Sequence, residues 1–352
     1  MLVRRDVPLA PFTTLRLGGA ASRMVDLERQ ADVAGAVHES AARAEPLFIL
    51  GRGSNVVIGD DGFPGLVARM ALKGVEVRRE GSRVVVAVAA GEDWDSLVAR
   101  SVDEGWSGLE CLSGIPGLVG ATPIQNVGAY GREVSQMITR VHAFDRRTGE
   151  HAALDPTECA FGYRTSVFKG NDRWIVTGLE LTLDVGRESA PVVYAELAQS
   201  LALAPRGRAP SSRVREAVLA LRRGKGMVVD PDDPDSVSAG SFFVNPVLER
   251  SALGELEALA GTRPPCFDGG QGRFKVAAAW LVEKAGFPKG WGQGRVGVSR
   301  KHALALVNRG GATTRELLGV AREIRDGVRA RFGVRLEPEP VLVGASWEEE
   351  RL

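Results

Sequence analysis

Apolar and polar positions along this chain alternate with two different periods, and the switches between them mark its elements. Residues 83–89 read Arg-Val-Val-Val-Ala-Val-Ala, which sets Val84, Val86 and Val88 on one side of an extended segment, the period-two pattern of a half-buried strand. Apolar runs at 46–50, 139–145 and 174–184 read as further strands, the second followed by a turn at 146–149. A helical period appears at 32–44 and 94–104, and at 213–223, where Val214, Ala217, Val218 and Leu221 share a face. It returns at 276–285 and 314–332, with a strand predicted at 303–308 between them and another closing the chain. The pattern is interrupted at 190–212 by Pro, Ala, Ser and Arg, and at 230–235 by Pro and Asp, which places a boundary near Lys225. No repeat, heptad seam or low-complexity segment breaks this α plus β order.

Composition narrows the function classes. A chain of 352 residues holds two or three domains, and 45 basic against 44 acidic residues give a net charge of +1. That balance points away from nucleic acid and acidic membranes and toward small-molecule partners; a monomer is expected. Cys111, Cys159 and Cys266 are far apart with no CxxC pair, which suits a reducing compartment, excludes a disulfide framework and a zinc site, and reads as buried thiols. Residues 1–17 lack a signal-peptide core and no run is long enough to span a bilayer, so a cytoplasmic protein is expected. The 43 glycines are the informative excess, because they cluster in short loops between apolar runs.

Three of those loops carry candidate chemistry. The first, Ser238-Ala-Gly-Ser-Phe-Phe-Val-Asn-Pro, presents the hydroxyl of Ser241 on a bend of small residues. It serves a nucleophile, a proton donor or a plain turn; the chain's four histidines, His38, His142, His151 and His302, lie far from it in sequence, and the glycine pattern of a nucleophile elbow is incomplete. The second places Gly51, Arg52, Gly53, Ser54 and Asn55 after a buried strand, either an anion-binding nest or a simple turn. Val56 stands where a dinucleotide fingerprint needs glycine, and no helix pattern follows. The third, residues 113–131, holds five glycines in nineteen positions with Ile115, Val119 and Ile124 able to pack inward. Such bare backbone suits close approach to a flat cofactor with a phosphate tail.

Together these motifs resemble the UDP-N-acetylenolpyruvoylglucosamine reductases, flavoenzymes that lead to UDP-N-acetylmuramate. The resemblance runs nearly full length, through Pro11-Phe-Thr-Thr, Ile49-Leu-Gly-Arg-Gly-Ser-Asn-Val, Ile115-Pro-Gly, Pro123-Ile-Gln-Asn-Val-Gly-Ala-Tyr-Gly, Phe161-Gly-Tyr-Arg-Thr-Ser-Val-Phe-Lys, the Ser241 bend and Leu336-Glu-Pro-Glu. It implies an α+β chain: an FAD-binding fold of the vanillyl-alcohol-oxidase/PCMH type in two subdomains, plus a C-terminal α/β substrate-binding domain. The implied limits are 1–70, with 333–352 returning to it, then 71–226 and 227–332. Noncovalent FAD is implied, since no histidine lies between Ile49 and Gly62, with NADPH as reductant in a ping-pong reaction.

The resemblance also assigns residues. Gly51, Arg52, Gly53, Ser54, Asn55, Val56, Ile115, Pro116, Gly117, Gly120, Ala121, Thr122, Ile124 and Gly128 match the cofactor-binding positions. Ser241 matches the proton donor, Arg164 the catalytic arginine and Glu339 the catalytic glutamate, although Pro340-Val341 stands where relatives carry Val-Arg. Tyr194 matches the tyrosine on the inserted loop of one subclass. Tyr130, Tyr163, Lys225, Asn245, Lys275 and His302 match substrate contacts. On residue type alone Arg164 is equally a surface arginine, Glu339 a solvated glutamate sharing a strand face with Glu337, and Tyr194 a helix-start tyrosine packed on the core. Two other functions fit the same fold: an oxygen-dependent flavin oxidase, and a non-catalytic sensor of flavin or nucleotide sugar.

Overall fold

The computed structural model describes residues 1–348. Its backbone forms two compact units: residues 1–7, 21–52 and 64–224 make unit 1, and residues 8–20, 53–63 and 225 onward make unit 2. One border falls at Gly224/Lys225, beside the change of pattern in the sequence.

Among its described residues, unit 1 contains two large sheets and a two-stranded ribbon of Gly128–Ala129 with Arg132–Glu133. One orders the strands Arg4–Pro8, Ala20–Leu27, Phe63–Met70 and Leu47–Leu50, with the last pair parallel and helix α1 (Gln30–Ala42) supplying Val33 and Ala36 to its apolar face. The larger sheet is antiparallel, ordered Glu150–Leu154, Ile138–Asp145, Trp174–Val185, Arg83–Ala89 and Val75–Glu80. Val84, Val86 and Val88 are buried as their alternation requires, and they pack with Leu179, Leu181 and helix α2 (Trp94–Asp103). Asp93 starts that helix by accepting from Ser96 N–H at 2.9 Å, and Trp94, 1 % exposed, donates its indole N–H to Leu112 O at 3.1 Å. Removing that ring would leave a cavity costing about 3–5 kcal/mol. The compositionally odd stretch 190–212 contains a short helix, α3 (Ala195–Ser200), and the predicted helix beyond it is α4 (Ser211–Gly224).

Unit 2 gathers helices α5 (Arg250–Ala260), α6 (Ala278–Lys284) and α7 (Thr314–Phe332) around one core that includes Phe242, Phe243, Leu281, Leu317 and Ile324. The sequence bounds of α7 hold because its ends are chemically marked. Thr313 and Glu316 form a capping box, Asp60 accepts from Thr314 and Arg315 N–H at 2.7 and 2.9 Å, and Gly333 closes the helix at φ +69°. The strand Val341–Val343 pairs in parallel with Val56–Ile58.

Several expectations need correcting. Val276 belongs to the strand Phe274–Val276, so α6 begins two residues later, at Ala278. The strand expected at 303–308 is only Leu306–Asn308, because the backbone before it turns around His302. The last strand is followed by irregular chain to residue 348, and Cys266 is half-buried, unlike Cys111 and Cys159. Glu337 and Glu339 do not share a strand face: the chain there makes only an isolated bridge at Pro338.

Candidate active site

Gly53 holds φ +62°, and a Cβ there would overlap Phe12 O and lie 2.7 Å from Thr13 Cα. Only glycine permits that approach. Thr14 N–H donates to Gly53 O at 3.1 Å, so in unit 2 the Pro11-Phe-Thr-Thr motif and residues 53–55 form one stretch of bare backbone. On the unit 1 side of the border, Arg52 pairs with Asp93, Asp93 bridges Leu118, and a Cβ on Gly51 would touch Leu118 Cδ1 at 3.8 Å. The start of the first glycine loop therefore meets the second within unit 1.

The second loop is held from beneath. Gly114 and Gly117 take φ +70° and +138°, and Gly120, whose N–H donates to Ala90 O at 2.9 Å, has room for no Cβ because one would fall 2.5 Å from Ala90 Cβ. Asp95 accepts from Gly114 N–H at 2.6 Å and from both ends of the Arg215 fork at 2.6 and 2.9 Å. Burial alone would raise the Asp95 pKa, but the guanidinium and the N–H hold it below the usual carboxylate range. Ile115 and Pro116 are half-buried and Ala121 is exposed, while Thr122 is buried with its hydroxyl on Val119 O at 2.8 Å. Ile124 O accepts from Ser166 Oγ at 2.6 Å. Left-handed glycines and side-chain-free backbone beside a helix start suit the phosphate tail of a dinucleotide such as FAD.

Residues 162–165 close a tight turn, with Gly162 N–H donating to Thr165 O at 3.1 Å and Thr165 N–H to Gly162 O at 3.3 Å. Arg164 sits in it at φ +52°, a left-handed conformation that costs a non-glycine residue about 1–3 kcal/mol. Its guanidinium donates to Gly128 O at 2.9 Å and lies 5.5 Å from the Tyr163 ring centroid. Tyr130, also left-handed at φ +49°, meets Tyr194 edge to face at 5.4 Å. Burial pushes the Tyr130 hydroxyl up to about 12, so it stays a neutral donor. Tyr194 stands at the N-cap of α3, 38 % exposed rather than packed in the core.

In unit 2 the serine bend is pinned on both sides. Phe242 N–H donates to Leu304 O at 2.7 Å, Ser241 bridges Ala305, and His302 Nδ1 accepts from Leu304 N–H at 3.1 Å. On the other side Glu339 N–H donates to Phe242 O at 2.8 Å, Phe243 bridges Pro338, and Val244 N–H donates to Glu337 O at 3.1 Å. Asn55 approaches the same segment, its O accepting from Val341 N–H at 3.0 Å. The structure thus brings Ser241, Glu339, His302 and Asn55 together in one unit. Glu339 is half-buried, whereas Glu337 is exposed and paired with Arg335 at 2.8 Å. Asn245 Oδ1 accepts from Ala278 N–H at 2.9 Å at the start of α6, and further along the same segment Val247 pairs with Lys275, whose Nζ lies 6.0 Å from the Phe267 ring centroid. Lys225 precedes Gly226, which takes φ +65° against Asp235 O. Ser241 and Glu339 belong to unit 2, Arg164 and Tyr194 to unit 1.

Sequence reasoning missed the residues that aim these groups. Asn126, 1 % exposed, donates to Gly162 O at 3.2 Å and to Glu133 Oε2 at 2.9 Å, which ties the cofactor loop to the arginine turn. An asparagine within a glycine-rich run was its only signal, because asparagine tolerates the left-handed φ of +47° it adopts. Arg222 was missed as well: desolvation holds its guanidinium below the ordinary range, with Tyr130 and Asp95 opposing that shift.

Comparison with known proteins places both halves. Residues 21–155 match the family model described as FAD binding domain, and residues 232–343 match that of UDP-N-acetylenolpyruvoylglucosamine reductase, C-terminal domain. The chain is 49 % identical over 349 residues to the UDP-N-acetylenolpyruvoylglucosamine reductase of Thermobifida fusca, covering 97 % of this chain and 98 % of that protein. It is 51 % identical over 344 residues to the protein of the same name from Salinispora arenicola, covering 96 % and 95 %. The crystal structure of the corresponding reductase from Thermus caldophilus superposes with a TM-score of 0.67 at 25 % identity, over 97 % of this chain and 99 % of that one. The α+β chain therefore has an FAD-binding fold followed by the reductase C-terminal domain, and FAD is its cofactor. With half its residues identical to these relatives over nearly its whole length, the chain belongs to the UDP-N-acetylenolpyruvoylglucosamine reductase family.

Proposed function

We propose that this enzyme uses NADPH to reduce UDP-N-acetyl-3-O-(1-carboxyvinyl)glucosamine to UDP-N-acetylmuramate, a step toward peptidoglycan, as a cytoplasmic monomer with noncovalently held FAD. When bound, FAD supplies the hydride, taken from NADPH and delivered to the terminal carbon of the enol ether. Negative charge then builds on the adjacent carbon and its carboxylate, and this chain's residues answer that charge. Arg164 binds the carboxylate through its planar fork. Glu339 acts beside the carboxylate and helps to stabilise the enolic form. Ser241 gives its proton to the carbon, a general-acid contribution of about 10²- to 10⁴-fold. Tyr130, Tyr163, Tyr194, Lys225, Asn245, Lys275 and His302 hold the nucleotide sugar. The three-part division at 70, 226 and 332 belongs to the same proposal; of the expected return 333–352, residues 349–352 lie outside the described residues.

One observation carries the reading: unit 2 pins the backbone on both sides of half-buried Ser241 and fastens the backbone of half-buried Glu339 to its neighbour Phe242. A turn serine without chemistry needs neither. The test is stopped-flow absorbance of the two half-reactions. Ser241→Ala is expected to keep flavin reduction by NADPH within about twofold and to slow reoxidation by the enolpyruvyl sugar by roughly 10²-fold or more. Equal losses in both halves would remove the proton-donor role. Turnover with oxygen independent of Ser241 would indicate an oxidase, and binding without NADPH oxidation a sensor.

A further inference from the structure

We propose that Glu110 is a positioning residue for substrate binding, a buried carboxylate that aims Tyr194 by fastening the base of the segment carrying it. The inference rests on Tyr194 contacting the nucleotide sugar, and it concerns unit 1 alone.

Glu110 opens the short helix Glu110–Leu112 and is 0 % exposed. Its Oε2 accepts from Gly108 N–H at 2.7 Å, and its Oε1 accepts from Ala190 N–H at 2.8 Å, across 80 residues of sequence. A carboxylate withdrawn from water is costly unless hydrogen bonds satisfy it, and bonds to an ionised acceptor are the strong ones. Ala190 stands within two legs of chain that pair from Arg187 and Ser211 onward. Ser189 N–H donates to Ala209 O at 2.8 Å, Val192 N–H to Gly207 O at 2.9 Å, and Arg206 N–H to Val192 O at 3.1 Å. Arg208 adds a bond to Ser189 O at 2.7 Å. Tyr194 and α3 ride between these legs, and Val192, Leu197, Ala198 and Leu201 pack on Cys111 and on Val214 and Val218 of α4. The turn that supplies the carboxylate therefore also supplies, through Cys111, the floor under the tyrosine segment. The Tyr194 ring is set against Tyr130 by a fastened hairpin rather than by a free loop.

The experiment compares holoenzyme with Glu110→Gln, which keeps the shape but turns one N–H donor toward an N–H. Flavin reduction by NADPH is expected to stay within about twofold, while KM for the enolpyruvyl sugar rises about tenfold and the limiting reoxidation rate changes by less than about threefold. On a Tyr194→Ala background the same substitution is expected to add less than about twofold, because no aimed ring is left to misplace. Hydrogen–deuterium exchange of residues 187–211 in the FAD-loaded protein is expected to accelerate about tenfold, independently of turnover. Should Glu110→Gln fail to fold, Arg208→Met loosens the same hairpin from the surface and is expected to raise KM about threefold with the same exchange signature. An unchanged KM with unchanged exchange overturns the inference, and so does a full tenfold effect on the Tyr194→Ala background. If the wild-type enzyme itself does not turn over the sugar, the proposed function falls, and the exchange measurement alone decides whether Glu110 fastens the segment.

Discussion

The arginine turn of unit 1 and the serine bend of unit 2 solve the same problem in opposite ways. Each presents one side chain from a tight reversal of backbone. In the bend the left-handed residue is Gly240, at φ +74°, next to Ser241. Glycine carries that conformation without steric cost, and the serine itself stays relaxed. In the turn the left-handed residue is Arg164 itself, at φ +52°, with Gly162 two residues away. Strain of this kind persists only when its surroundings over-determine it, here through the paired Gly162 and Thr165 and through Lys169 Nζ on Arg164 O at 2.9 Å. Where glycine carries the left-handed backbone, residue type marks the bend; where an arginine carries it, residue type alone gives no sign of it.

The sharpest way to break this comparison is to separate the charge of Arg164 from its strain. Arg164→Lys keeps the charge but loses the fork, and reoxidation by the enolpyruvyl sugar is expected to slow about 10²- to 10³-fold with flavin reduction unchanged. Arg164→Asn is expected to lose as much rate yet match or exceed wild-type stability by up to about 1 kcal/mol, since asparagine tolerates the left-handed region. A denaturant titration showing Arg164→Asn clearly less stable would mean that the guanidinium, rather than the turn, holds the backbone.

The contrast also explains what was legible. The strand 83–89 and the helix Thr314–Phe332 were readable to the residue, because alternation and capping chemistry mark them locally. The turns of the glycine loops and of the Ser241 bend were readable because bare backbone leaves a compositional trace. Glu110, Asn126 and the Asp93–Arg52 pair were not, since each works through partners distant in sequence or through backbone groups. Strand Arg4–Pro8 escaped as well: its side chains are half-buried or exposed, so no apolar period announces it. Nor could composition reveal α3 within 190–212, a six-residue helix that is stabilised by packing on Cys111 and α4.

Two glycines extend the comparison to stability. In Gly53→Ala the new methyl would enter the backbone of Phe12 and Thr13 at a left-handed position, so a loss of about 3 kcal/mol or more is expected, with FAD released on gel filtration. At Gly240 the nearest atom to an added Cβ is Met227 Sδ at 3.9 Å, an ordinary contact. Gly240→Ala is therefore expected to cost only the conformational strain, about 1–2 kcal/mol, while slowing reoxidation more than flavin reduction by re-aiming Ser241. Equal destabilisation of the two variants in thermal melts would show that φ, not close approach, governs both positions.

The smallest expected effect concerns the carboxylates that brace each unit. Asp235, with its side chain 4 % exposed, accepts from Arg300 N–H at 2.8 Å and Arg300 Nε at 3.1 Å beside the loop that carries His302. Burial would raise its pKa, yet the bonds from Arg300 and Ser299 hold it below the usual range, as Arg215 does for Asp95 in unit 1. A folded-state pKa below the unfolded value of about 3.9 means that the stabilisation is complete above that value and is lost as pH falls through it toward the folded pKa. The melting temperature is therefore expected to be level between about pH 5 and 7 and to drop below about pH 4. Asp235→Asn lowers the plateau and flattens this acid limb, because the residue can no longer take up a proton on unfolding. Asp95→Asn flattens it less: that side chain is 34 % exposed, and solvent screens its pair with Arg215. If calorimetry between pH 3 and 7 gave both variants the wild-type acid limb, neither carboxylate would brace its unit through its charge, and the hydrogen-bond geometry alone would hold the two loops.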